Sequence, residues 1–214
     1  YLVDPVLMLK IVFSMINTCI NHGSTSLIAF ACVSYSVYLC AVEGGDLDTG
    51  YQFGKLALKL LEQFETFETT AKVYRLFNSH VRHWKEATRN AIDPLRKIIQ
   101  IGLDNGDNEY ASYAAMGYCS TLFLVGESLA VVSEKQIPYL SLIQSLHQEY
   151  PLHYTKIWGQ LVLNLRGFAQ DKQQLIGELF NEVETLPILR DTNTLFYAYL
   201  AKTILCYLFK NSAA

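Results

Sequence analysis

Apolar positions recur along this chain every three or four residues, in stretches of about 15 to 20 separated by short polar breaks. Three breaks carry glycine: His22-Gly23-Ser24, Gly45-Asp46 and Gly106-Asp107. Glycine just past a helix closes it in the left-handed conformation, and a following Asp or Ser caps the next helix. The pattern predicts a helix from the Asp4-Pro5 cap to about Asn21, a second over Ser26–Val42 and a third from near Asp48. In the third, Phe53, Ala57, Leu60, Leu61 and Phe64 form the inner face, while Lys55, Lys59, Glu62 and Glu65 point outward. A fourth helix is predicted over Glu68–Trp84, with Tyr74, Phe77, Val81 and Trp84 on one seam. A fifth covers Arg89–Asp104, with Ile92, Leu95, Ile98 and Ile99 inward, and a sixth follows Gly106-Asp107 and extends to about Gly126. Ser133–Tyr150, Pro151–Ala169, Lys172–Thr185 and Asp191–Lys210 read as four more, with Pro138, Pro151 and Pro187 at starts or breaks. No stretch alternates as a strand does. The expected fold is all-α: a tetratricopeptide-like α-solenoid of about ten helices in antiparallel pairs, one domain over residues 5–210.

Composition narrows the classes. Apolar residues make up 51% of the 214 and charged residues 17%, which excludes a disordered chain. A net charge of −3 does not suit a general nucleic-acid binder. Thr25–Val42 is 18 residues without a charge, yet it is rich in Ser and Ala and has no flanking Lys or Arg, so a packed helix is preferred over a membrane span. The five cysteines form no CxxC pair and sit in apolar stretches, as reduced, buried thiols of a cytoplasmic protein do. The first residue is Tyr1 and no signal-peptide pattern is present, so the chain reads as a piece of something longer.

Motifs for chemistry fail on their own terms. Gly45 to Gly50 has phosphate-loop spacing, but Tyr51-Gln52 follows where Lys-Ser/Thr is required. His80 and His83 lie one turn apart without the further ligands a zinc site needs, and lack the following glycine of a phosphotransfer helix. Glu178, Glu182 and Glu184, and Asp46 and Asp48, read as solvated faces and caps. No Ser, His and Asp set stands at a nucleophile elbow. No cofactor, metal or catalytic residue is expected. One uneven charge feature stands out: from Lys72 to Lys97 there are seven basic and two acidic residues, and Arg75, Arg82, Arg89 and Arg96 repeat every seven. Together with Lys85 they are the candidate partner-binding residues, reading as a solvated face or a surface that docks an acidic partner domain rather than as a nucleic-acid site.

Several runs carry a family resemblance: Gly50-Tyr51-Gln52-Phe53-Gly54-Lys55-Leu56-Ala57-Leu58, Phe77-Asn78-Ser79-His80-Val81-Arg82-His83-Trp84-Lys85-Glu86, and Gly102 through Ala111. Gln160-Leu161-Val162-Leu163-Asn164-Leu165 and Leu175-Ile176-Gly177-Glu178 continue it. Over about residues 5 to 210 the chain resembles the helical middle region of large bacterial signalling proteins, which also carry a serine/threonine-kinase-like domain, a STAND/AAA-type ATPase, a GAF sensor and a histidine kinase. The kinase loops, Walker motifs and phosphoacceptor His box of that family are absent from this sequence. The resemblance implies a non-catalytic regulatory module that couples the ATPase switch to the sensor kinase, with those flanking domains as partners. A different expectation, drawn from the many Tyr and Phe, is a small apolar or aromatic ligand bound between hairpins.

Overall fold

The computed structural model describes residues 5–23, 25, 27–42, 44–64 and 69–210. Asp4, Ser24, Ser26, Glu65 and Glu68, which the helical pattern invokes, lie outside them. The chain is all-α, built of helices that pack in pairs. It divides into two compact units, with the boundary between Ala114 and Ala115.

In the first unit, α1 (Pro5–His22) ends at Gly23 and packs on α2 (Leu27–Ala41). Nine of the 15 residues of α2 are buried, because α1, α3 (Leu47–Phe64) and α4 (Thr70–Leu76) all pack against it. A helix enclosed in this way is apolar all round, which accounts for its span-like composition. Among the described residues, no helix is long and apolar enough to cross a membrane. Asp46 caps α3 by accepting from Thr49 N at 2.9 Å and from Thr49 Oγ1 at 2.5 Å. Gly50 and Gly54 then let α3 lie close to its neighbours. Ser36 Oγ donates to the Gly50 carbonyl at 2.6 Å, and a Cβ on Gly54 would meet the Phe77 ring at 2.7 Å. Helix α5 (Ile92–Asp104) buries Leu95, Ile98 and Ile99, as its period predicts. Gly106 closes it: Asp107 N bonds Gly102 O at 2.8 Å and Gly106 N bonds Leu103 O at 3.2 Å, a Schellman motif. Asp107 then caps α6 (Asn108–Leu124), whose last ten residues belong to the second unit.

The second unit centres on α8 (Glu149–Leu165), which packs against α7 (Leu129–Ser145) and α10 (Thr192–Leu208). Three expectations change here. The predicted helix Ser133–Tyr150 starts earlier, at the Ser128 cap, and stops at Ser145, so Pro138 lies inside a helix rather than at its start. Its end is a Schellman turn in which His147, at φ 54°, occupies the position glycine usually takes. The helix predicted over Pro151–Ala169 starts at Glu149 and stops at Leu165, with Gly167 closing it. The helix predicted over Lys172–Thr185 is largely absent: residues 166–181 are irregular, with one isolated bridge between Ile176 and Asn181, and only α9 (Glu182–Thr185) is helical.

Candidate functional site

The most unusual backbone of the first unit follows α4. At Phe77 the helix widens into a π-turn through Val81, then tightens into 3-10 turns at Arg82–Trp84 and Thr88–Ala91 before α5 begins. An inserted π-turn changes which side chains face inward, and such turns are frequent at functional sites.

A connected set of polar side chains holds this excursion in place. Asn78 is buried and donates to Tyr74 O at 2.8 Å, while its Oδ1 accepts from Arg82 Nη1 at 2.7 Å. The same Arg82 nitrogen donates to Asn90 O at 3.0 Å, and its Nε lies 3.2 Å from Glu86 Oε2. Tyr51 OH, from α3, donates to Glu86 Oε1 at 2.8 Å, and Asn90 Nδ2 reaches Glu86 Oε2 at 3.4 Å. The Arg82 guanidinium also lies over the Phe77 ring, 5.3 Å from its centroid. Partial burial works to raise the Glu86 pKa, but the Tyr51 hydroxyl, Arg82, Asn90 and Lys55 outweigh it and hold the carboxyl below its ordinary value. The hydrogen bond to Glu86 pushes the Tyr51 phenol up.

On the outside of this clamped turn, Trp84 keeps 46% of its surface in solvent and lies against the His83 ring at 5.0 Å. Lys85, Arg89, Arg96 and Lys97 are exposed around and beyond it. Lys85 pairs with Asp48 at 2.6 Å and Arg96 with Asp93 at 3.3 Å, both in solvent where such pairs contribute little.

The seven-residue series of arginines is therefore not one stripe. Arg75 is 6% exposed and donates its Nε to Tyr113 O at 2.8 Å, inside the unit. Arg82 is half-buried and committed to the clamp. Only Arg89, Arg96 and the neighbouring Lys85 remain on the surface, because the π-turn and the 3-10 turns break the helical register between Arg75 and Arg96. The charge pattern alone does not single out Asn78, Glu86, Asn90 or Tyr51. The signal was present: Asn78, Arg82, Glu86 and Asn90 stand four residues apart.

A second buried polar cluster, in the other unit, has its groups engaged with backbone. Asn164 Nδ2 donates to the carbonyls of Asp171, Lys172 and Gln174 at 3.3, 3.2 and 2.6 Å. Gln160 Nε2 donates to Asn164 Oδ1 at 2.9 Å, and its Oε1 accepts from Leu179 N at 3.1 Å and Phe180 N at 3.4 Å. Glu182, expected on a solvated face, is buried; it accepts from Leu175 N at 3.0 Å and from Lys202 Nζ at 2.7 Å. These bonds replace a helix with a pinned loop. Aromatic side chains in the unit pack on one another, Tyr154 on Tyr197 at 4.4 Å and Phe123 on Trp158 at 5.2 Å.

Among the described residues, no three His, Cys, Asp or Glu side chains are placed to share a metal ion, and His80 and His83 stand exposed. Cys19, Cys32, Cys40 and Cys119 are buried free thiols, with burial raising the Cys32 pKa to about 11, while Cys206 is half-exposed. No protein-family model, curated protein or solved structure matches this chain.

Proposed function

We propose that the chain is a non-catalytic helical interaction module whose contact surface is the turn and helix start from Arg82 to Lys97. The observation that carries this reading is Trp84: a large aromatic, 46% exposed, held on a backbone excursion that the Asn78–Arg82–Glu86–Asn90 clamp fixes in advance. An interface anchor that is ordered before binding loses less conformational freedom on association, and Trp and Arg are the residue types that dominate interface energies. Five basic and two acidic residues from Arg82 to Lys97, in a chain of net charge −3, suit an acidic partner surface.

The resemblance to bacterial kinase proteins supplies the partners: the flanking ATPase and sensor domains of a longer chain, with the module relaying between them in the cytoplasm. Docking at the turn shifts the population of one arrangement of the neighbouring ATPase over another. The test is the melting temperature of the chain alone, with ATP and magnesium, and with the ATPase and sensor segments added in trans. A rise with the protein segments alone supports the module, by mass action. A rise with nucleotide alone overturns it, since the chain would then hold a nucleotide site.

A further inference from the structure

Helix α10 is apolar on two sides. Its inner face, Thr194, Ala198, Ala201 and Leu205, is buried where the helix packs on α8. A second row, Phe196, Tyr199, Thr203 and Tyr207, runs along the opposite side at spacings of 3, 4 and 4 and faces solvent. Phe196 is 61% exposed, Tyr199 58% and Tyr207 82%. The helix carries one charge, Lys202, and that ammonium is 2.7 Å from Glu182 Oε1.

We propose that this outer row is the interface of a two-fold dimer in which α10 packs antiparallel on α10 of a second copy of this chain. The area fits. At ~200 Å² per aromatic side chain, the three leave on the order of 400 Å² in solvent. A standard interface of about 800 Å² per partner, about 60% apolar, calls for roughly 480 Å² of apolar surface. Half-buried Leu200 and Cys206 border the row on its two sides and add apolar surface to it.

The row also suits its own two-fold image. An axis passing near Ala201 and Lys202 sets Phe196 of each copy against Tyr207 of the other, and Tyr199 beside Thr203. The two Lys202 side chains come to the level of the axis, beside the row, each paired with Glu182 of its own copy, and antiparallel helices oppose their dipoles favourably. The inference rests on the second unit alone and does not depend on the docking turn around Trp84.

Sedimentation velocity on the full chain from 1 to 100 µM, with reductant, tests it. The wild type is expected to pass from monomer to dimer across this range. Tyr199→Lys and Tyr207→Glu are expected to stay monomeric throughout, with the melting temperature of the wild type at 1 µM, where both are monomers, since both side chains are exposed. Ile11→Glu on α1, which also presents apolar side chains to solvent, is expected to dimerise as the wild type does. A wild type still monomeric at 100 µM overturns the proposal and leaves the row to a different protein. So does a dimer that survives both α10 substitutions, or one lost only in Ile11→Glu.

Discussion

The Gln160 carboxamide occupies the space that a side chain at position 177 would fill: a Cβ built on Gly177 comes within 2.8 Å of Gln160 Oε1. Gln160 cannot step aside, because its oxygen accepts from Leu179 N and Phe180 N and its nitrogen donates to Asn164. Gly177→Ala is thus expected to destabilise the fold by about 1–3 kcal/mol, through crowding and broken hydrogen bonds. Urea denaturation measures it. An unchanged midpoint would mean that residues 166–181 are not pinned as described.

His147 holds φ 54° at the end of α7, a conformation that costs an L-residue about 1 kcal/mol relative to glycine. His147→Gly is expected to stabilise the chain by about 0.5–1 kcal/mol, the gain reduced by the greater freedom of glycine in the unfolded state. A rise in the melting temperature checks it.

Much of the helical pattern was legible from the residues, and the misses have physical causes. Glycine at 23 and 106 marks helix ends that the pattern finds, and Gly167 marks one that the helix predicted to Ala169 overruns, whereas the same Schellman turn at His147 has no such marker. Its absence let the predicted helix run on to Tyr150, past the true stop at Ser145. The irregular segment 166–181 is held by Asn164 and Gln160, side chains from another helix, so its local pattern still reads as helical. Arg75 and Arg82 share a face only if the helix predicted over Glu68–Trp84 is unbroken, and the π-turn at Phe77–Val81 ends that register. Three glycines in the runs quoted for a resemblance serve packing: Gly54 lies against Phe77, Gly102 against Ala111, and Gly177 against Gln160.

The clamp under Trp84 predicts its own mutational pattern. Arg82→Met removes the donor to Asn78 Oδ1 and Asn90 O and the cation beside Glu86, and is expected to cost about 1–3 kcal/mol. The loss is expected to be strongly non-additive with Asn78→Ala, since both substitutions break the same bond. A double-mutant cycle in urea reads the coupling, and strict additivity would show that the two side chains act independently.

Acidification is expected to weaken the fold in two stages. Burial, with Lys156 nearby, lowers the His153 pKa from 6.5, so the unfolded chain takes up that proton first and stability declines as pH falls below about 6.5. Glu86 is held below 4.5, with Asp46 and Asp191 below 3.8; their stabilisation is complete above those values and is lost as pH falls through the lower folded pKa values. Melting temperatures from pH 8 to pH 3 should therefore fall gently at first and then more steeply. In Glu86→Gln the steeper limb should be shallower.

The proposed docking turn is tested most directly by fluorescence anisotropy with a labelled Asp- and Glu-rich peptide, at low and at moderate salt. The wild type is expected to bind with an affinity that falls as salt rises, and Trp84→Ala or the pair Arg89→Glu and Lys97→Glu to weaken it at least about 10-fold, the size of a modest interface hot spot. Lys59→Glu, an exposed reversal on α3, is expected to change it little. Equal binding by all these variants, or none by the wild type at 100 µM, would contradict the assignment of the Arg82–Lys97 surface to partner recognition.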